Sequence, residues 1–291
     1  MKRVLITGGS GFIGRNLLEN LSQKYYVFAP SHQELDILNY DSVFSYIKEH
    51  RIEVIIHAAV HVPEFNGREK EFFNDMQMFL NLEKISPLVN KIIYFGSGAE
   101  FDKRFNISNV RETDYGKSIP VTEYGLAKYT MNKVAQNSRN IYNLRLFGIF
   151  GKYELWQIKF LSNLCCKAVF DLPLTVRKDC WFNFLYIEDL LGIVEWFINH
   201  DPTFHDYNIC HDKSYLLSDF AKMVVKASGK KLNIQMLSTE RNLDYTADNA
   251  RLRAEIKDLY ITPIIKALAE LYRYYSDNKA KIDYETLKLS R

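Results

Sequence analysis

The sequence predicts an α/β chain: a doubly wound parallel sheet with a smaller C-terminal lobe. Three observations predict it. A glycine cluster, Gly8-Gly9-Ser10-Gly11-Phe12-Ile13-Gly14, lies between a short apolar run, Val4-Leu5-Ile6, and a segment with helical apolar spacing, Arg15 to Leu21. Strand-like and helix-like segments then alternate over the first third of the chain, as in a parallel sheet covered on both faces. After about residue 150 the alternation breaks down into short pieces and helices.

The elements follow in order. A strand is expected at 3–7 and a helix at 12–21. Gly8 permits the tight turn between them, Gly11 has no side chain to hold a pyrophosphate off the backbone, and Gly14 lets the helix pack on its strand. The N–H groups and dipole at the helix start favour phosphate charge. This is the geometry of a Rossmann-type dinucleotide site. A second strand is expected at 25–29, a short third ending at Asp36-Ile37, and a helix capped by Asp41 and running to about Glu49. Residues 54–59 are apolar enough for a doubly covered strand. A long helix is expected from about Glu69 to Leu88, then a strand at 91–95 closed by Gly96-Ser97-Gly98. Residues 99–121 read as a polar, irregular loop, long enough to be functional. A helix from Thr122 to about Arg139 and a strand at 141–146 complete the first part.

Farther on, a strand is expected at 184–187, with Asp189 leading into a helix that ends near Asn199. Another strand is expected at 207–209. A helix after Ser218 should end at Gly229, and the tail should be helical from about Pro263. The Rossmann-type part is thus assigned to residues 1–150 and about 182–210, and the smaller lobe to 151–181 and 211–291.

Composition removes several classes. The 291 residues are 47% hydrophobic and 25% charged, ordinary for a globular chain, and the net charge of +3 is spread along the sequence. Nucleic acid and membrane surfaces are therefore not expected partners. Four cysteines occur, with no CxxC pair and no histidines at metal-ligand spacing, so buried reduced thiols and no metal are expected. The apolar run after Lys2-Arg3 is too short for a secretory leader, and no stretch is long enough to span a membrane. The expected compartment is the cytoplasm.

The chemistry centres on Tyr124 and Lys128. Four positions apart on a helix, they share a face one turn apart. An ammonium beside a phenol favours the phenolate and lowers its pKa, and such a tyrosine can exchange a proton with a carbinol oxygen. Ser97 closes a strand of the same sheet, where the ligand crevice of a parallel sheet forms, and its hydroxyl can bond that oxygen. Asn74 is a further polar candidate.

These residues, with Gly8 to Gly14, His57-Ala58-Ala59, Arg145 to Gly151 and Tyr186-Ile187-Glu188-Asp189-Leu190, make the chain resemble the extended short-chain dehydrogenase/reductases. Within these it is similar to the epimerase/dehydratase family that modifies nucleotide sugars. The resemblance covers residues 1 to about 250. It implies Tyr124 as acid/base, Lys128 on the nicotinamide ribose and Ser97 on the carbonyl. It also implies cofactor contacts from Gly8, Gly11, Phe12, Ile13, Gly14, Ala58 and Ala59, with Asp36 and Ile37 flanking the adenine. Substrate contacts fall to Ser97, Gly98 and Gly148. Arg177, Lys178 and Arg251 are cationic candidates for the diphosphate. The family commonly dimerises through the helices holding Asn74 and Tyr124, so a homodimer is expected.

Departures from the family pattern narrow the reaction. The acidic pair of the sugar 4,6-dehydratases is replaced by Gly98 and Ala99, neither of which can move a proton. The cysteine of the fucose-synthase branch is replaced by Ala99, and Gln157 stands near its expected histidine. Gly148 stands where the family often has asparagine, and Phe182 near an expected arginine. The strand that carries an acid in NAD-using members ends Phe28-Ala29-Pro30-Ser31-His32-Gln33, without one. Ser31 and His32 can approach a 2′-phosphate, so NADP(H) is expected, with NAD the alternative. The expected function is reduction of a 4-keto-6-deoxy nucleotide sugar. The alternatives are a 4-epimerase and a non-catalytic dinucleotide sensor, the latter disfavoured by the intact Ser97, Tyr124 and Lys128.

Overall fold

Val4, Leu5 and Ile6 are wholly buried, and they alternate: Val4 and Ile6 join one apolar cluster and Leu5 another. The period of two in an extended chain sends successive side chains to opposite faces. The same holds for Ile55 between Val54 and Ile56, and for Ile92 and Tyr94 against Ile93 and Phe95. In the computed structural model, which describes residues 1–61 and 70–290, these runs form a parallel sheet with both faces covered.

The sheet has six strands: β1 (Arg3–Thr7), β2 (Tyr26–Phe28), β3 (Val54–His57), β4 (Lys91–Ser97), β5 (Ile141–Leu146) and β6 (Asp206–Ile209). Their order is β2-β1-β3-β4-β5-β6, and all neighbours are parallel. On one face lie α1 (Phe12–Leu21) and, far along the chain, α6 (Ile187–Asn199). On the other lie α2 (Tyr40–His50), α3 (Glu71–Ile85) and α4 (Glu123–Ala135). The crossovers from β1 to β2 and from β2 to β3 go to opposite sides of β1. The crevice at that reversal, beyond the carboxyl ends of β1 and β3, is where ligands bind in such doubly wound sheets.

The smaller lobe packs α5 (Phe160–Val169), α7 (Leu217–Ser228) and α8 (Ile264–Asp277) against one another. Gly229 ends α7 in a left-handed conformation, φ +67°, and Pro263 precedes α8, both as the sequence predicts. A four-stranded sheet ties the lobe to the loop after β4. Its order is 215–216, 181–182, 245–247 and 107–110.

The structure departs from the expected elements in several places. Asp36-Ile37 ends no strand: Asp36 Oδ1 and its carbonyl accept the N–H groups of Leu38 and Asn39, which makes a turn. Asn39, not Asp41, caps α2, its side chain accepting the Ser42 N–H at 3.1 Å. The expected start of the next helix near Glu69 lies outside the described residues. The segment 99–121 is not irregular, because Ile107–Val110 pairs with a strand more than a hundred residues away. α4 stops at Ala135, short of Arg139. The strand near 184–187 is only Leu185–Tyr186, so α6 begins at Ile187 and Asp189 falls in its first turn.

Candidate active site

The glycine loop is shaped by backbone contact. Gly8 has φ +71°, and a Cβ there would lie 2.6 Å from the backbone nitrogen of Ala59. A Cβ on Gly14 would lie 2.1 Å from the Gly8 carbonyl oxygen. Only glycine allows the loops after β1 and β3 to meet this closely. Gly11 differs: its Cβ would find only the Gly8 oxygen, at 3.3 Å. Gly11 is also the N-cap of α1, with no side-chain cap and no acid in the first turn. The first N–H groups of α1 therefore keep their capacity for an anion.

A cleft of about 470 Å³ opens from this loop. Its walls include Gly8, Ser31, His32, Ile37, Ala59 and Asn74, so the phosphate and adenosine parts of the expected cofactor site border one cavity, whose lining does not reach Ser97, Tyr124 or Lys128. Phe12 and Ile13 pack against the core under α1. The Asp36 carboxylate is committed to its turn and lies 3.8 Å from His32. The second-strand end holds an acid the sequence did not place there. Glu34 folds back so that its carboxylate accepts the Ser31 N–H at 2.7 Å and the Ser31 hydroxyl at 2.8 Å. Asn74 bonds the His61 ring at 3.1 Å on the cleft wall.

Ser97 ends β4 and caps a single 3-10 turn, Gly98–Phe101, its hydroxyl accepting the Ala99 N–H at 3.1 Å. α4 begins at its Thr122 cap and presents Tyr124 and Lys128 one turn apart. The Lys128 Nζ is 5.8 Å from the Tyr124 ring centre, and Ser97 stands beside the Tyr124 phenol, acting against the burial that raises it. The three catalytic candidates are thus brought together.

The electrostatics depart from the sequence argument. The Tyr124 phenol is not depressed by Lys128. Burial pushes it up to about 12, and the carboxylates of Asp75, Glu100 and Glu71 act in the same direction. Burial also lowers Lys128, with Asp75 and Glu100 opposing as its counter-charges. His57, bonded to Thr7 Oγ1 at 2.7 Å, is held neutral with a pKa of about 3 by burial and then by Lys128.

The second lobe adds a residue that no motif flagged. Tyr245 places its hydroxyl 3.5 Å from Ser97 Oγ, and its ring packs against Phe147 and Phe182. A Cβ on Gly98 would lie 2.6 Å from that hydroxyl and 2.7 Å from the Phe147 ring, so Gly98 is a space-maker. Gly148 is likewise filled over, by the Phe182 ring and the Asn183 carbonyl. The cationic candidates do not converge. Lys178 pairs with Glu240 on the exposed surface, and Arg177 is exposed. Arg251 donates to the carboxylate and carbonyl of Asp206, at the opposite end of β6 from the crevice.

Fold and site together define a class. The profile of the NAD dependent epimerase/dehydratase family matches residues 4–210, and the chain belongs to that family. It is 25% identical to a GDP-L-colitose synthase of Yersinia pseudotuberculosis, over 79% of this chain and 83% of that one. It is 23% identical to a GDP-6-deoxy-D-talose 4-dehydrogenase of Aggregatibacter actinomycetemcomitans, over 80% and 82%. The fold matches a GDP-L-fucose synthetase from Naegleria fowleri, solved bound to NADP, with TM-score 0.83 and 16% identity over 96% and 95% of the two chains.

Proposed function

We propose that this chain is an NADP(H)-dependent reductase of the C4 ketone of a 6-deoxy sugar carried on a nucleoside diphosphate, with GDP the favoured carrier. The observation that carries the reading is the Tyr124 phenol. It lies beside Ser97 and one helical turn from Lys128, and burial favours its protonated form. A group that arrives protonated is suited to capping a newly formed alkoxide. Gly98 and Ala99 offer no side chain to move a proton on a neighbouring carbon, which supports simple reduction over dehydration or over epimerisation at a carbon beside the ketone. The names of both curated relatives, each a GDP-sugar enzyme, support the carrier.

The residues fit the cofactor at a testable point: the uncapped start of α1 at Gly11 and the open side of that glycine suit a pyrophosphate. When bound, the cofactor supplies hydride to the carbonyl carbon. Gly8, Gly11 and Gly14 would shape the backbone around its phosphates, Ser31 and His32 would hold the 2′-phosphate, and Ala58, Ala59 and Ile37 would line the adenosine side. Ser97 donates its hydroxyl proton to the ketone oxygen as a hydrogen bond. Tyr124 transfers its phenolic proton to that oxygen as negative charge develops there, and Lys128 holds the ribose and stabilises the phenolate left behind.

The test is NADPH oxidation with GDP-4-keto-6-deoxymannose. Tyr124→Phe should lower kcat by about 10³-fold, within the usual range for a lost general acid, while NADPH binding by fluorescence stays near wild type. Wild-type turnover in the phenylalanine variant rejects the acid assignment. No turnover with any 4-keto nucleotide sugar rejects the reductase.

A further inference from the structure

Beneath Ser97 lies a set of charged side chains with no exposure at all. Glu100 and Arg145 are both fully buried. Glu100 Oε1 accepts the Ser97 N–H at 3.0 Å, and Oε2 accepts Arg145 Nε at 2.7 Å. Asn143 Nδ2 reaches both carboxylate oxygens, at 3.1 and 3.3 Å, and also Asn132 Oδ1 on α4 at 2.9 Å. Arg145 continues to Asp206 at 2.8 Å and Asn208 at 3.0 Å, and Arg251 takes the other Asp206 oxygen at 2.7 Å. Every group bonded to Glu100 donates to it, and the Arg145 charge with these donors favours the carboxylate against the burial that pushes its pKa up. Its space is made by Gly96, where a Cβ would lie 2.3 Å from Glu100 Oε1 and 2.1 Å from Asn143 Oδ1.

We propose that Glu100 is a positioning residue for Ser97 and Tyr124, clamping the Ser97 backbone to β5 and, through Asn143 and Asn132, to α4. The inference rests on the reductase reading above and deepens it. A lone 3-10 turn has poor hydrogen-bond geometry of its own. The reciprocal cap between Ser97 and Glu100 is what fixes it, with Ser97 accepting from Ala99 and Glu100 accepting from Ser97. Through Asn143 and Asn132 the same carboxylate is tied to the helix that carries Tyr124. A shift of about 1 Å between catalytic groups costs on the order of a hundredfold in rate, so this tie governs turnover while Glu100 itself never meets the substrate. Its charge also acts on the phenol. The groups facing Tyr124 are Asp75 and Glu71 from α3, Glu100 from the turn, Lys128 from α4, Ser97 from β4 and Tyr245 from the second lobe. Among the carboxylates, Glu100 is the one bonded to Ser97.

The test is Glu100→Gln, whose amide oxygen still accepts from Ser97 but carries no charge. With GDP-4-keto-6-deoxymannose and NADPH, kcat should fall by about tenfold to a hundredfold with KM held within about threefold. The alkaline limb of the kcat profile should move to lower pH. Protein labelled with ¹³Cζ-tyrosine gives a readout independent of any substrate. The Tyr124 resonance, assigned by its loss in Tyr124→Phe, should titrate at lower pH in Glu100→Gln than in wild type. If Glu100→Gln does not fold, the double variant Glu100→Met with Arg145→Met replaces the buried pair by apolar isosteres and leaves Asp206 paired with Arg251. It should fold and turn over slowly, with a smaller downward titration shift than in Glu100→Gln because the Arg145 charge is removed as well. A folded variant with wild-type kcat and an unmoved Tyr124 titration overturns the inference. If wild type reduces no nucleotide sugar, the reductase reading fails while the ¹³C titration still decides this one: a shift supports it and no shift overturns it.

Discussion

On the phosphate side of the cleft, Gly8, Gly11 and Gly14 act through backbone shape within a single strand–turn–helix. On the sugar side, Ser97 is held by Glu100, Asn143, Arg145 and Asp206, which meet from two strands and a turn. The first wall is local in sequence and needs the absence of side chains. The second is assembled from distant side chains and needs charge balanced in the interior, where an unpaired carboxylate is costly. The two walls should therefore fail differently when altered.

The largest expected effect is on the local wall. Gly14→Ala puts a methyl 2.1 Å from the Gly8 oxygen, so α1 must move off β1. NADPH affinity should fall about hundredfold or more by fluorescence titration, and overpacking should cost about 1–3 kcal/mol of stability. Gly11→Ala sharpens the point. With only one contact at 3.3 Å, it should leave stability nearly unchanged while still weakening NADPH. Equal thermal loss in both variants would break the distinction between a packing glycine and a ligand glycine.

Arg251→Met probes the assembled wall. Arg251 was expected at the diphosphate, but its guanidinium is occupied by Asp206. Loss of that partner should cost about 1–3 kcal/mol in chemical denaturation, less than the 3–5 kcal/mol of a fully buried pair because Arg251 is partly exposed. The KM for the nucleotide sugar should be unchanged. A raised KM with unaltered stability would return Arg251 to the ligand.

The two lobes should also differ in the sign of their pH response. His57, beneath the phosphate wall, is depressed from 6.5 to about 3. It contributes stability that is present above pH 6.5 and lost as pH falls towards 3. Glu154, in the smaller lobe, is raised from 4.5 to about 7 by burial. Its contribution is complete below pH 4.5 and lost as pH rises through 7. Each unit of separation is worth about 1.4 kcal/mol. His57→Gln should flatten the acid side of a melting-temperature profile and Glu154→Gln the neutral side. Profiles unchanged by either would refute the assignment.

The same contrast explains what the sequence made legible. Gly8 to Gly14 and the Tyr124–Lys128 spacing are short-range patterns whose geometry follows from one turn or one helix, and the apolar runs of β1, β3 and β4 follow from a doubly covered sheet. Asp36-Ile37 misled because a buried Leu35 and Ile37 look like strand residues, while the Asp36 side chain folds the segment into a turn. Ile107–Val110 was hidden because its partner, Tyr245–Ala247, lies far along the chain. Tyr245 was missed for the same reason, being an ordinary tyrosine until the second lobe is folded. The charged candidates Arg177, Lys178 and Arg251 were chosen for charge alone, and charge does not reveal which partner a cation has. Glu100 carries no local signal, because an acid three places after a serine, in a polar stretch, reads as surface until the chain is folded.

The smallest expected effect concerns the cofactor's 2′ position, where a local pattern was misread. The end of β2 lacks an acid through Gln33, yet Glu34 returns to take both the N–H and the hydroxyl of Ser31. Those are the donors a 2′-phosphate needs, and the carboxylate that holds them repels it. The site is exposed, so screening keeps the penalty modest. Glu34→Gln should raise NADPH affinity by about threefold to fivefold, the scale of an exposed charge contact, and change NADH affinity little. Raising the ionic strength should narrow the difference between the variant and wild type, since the repulsion is between solvent-exposed charges. If Glu34→Gln leaves the NADPH/NADH ratio unmoved at low salt, the phosphate does not sit against Ser31, and the glycine loop alone determines where the dinucleotide lies.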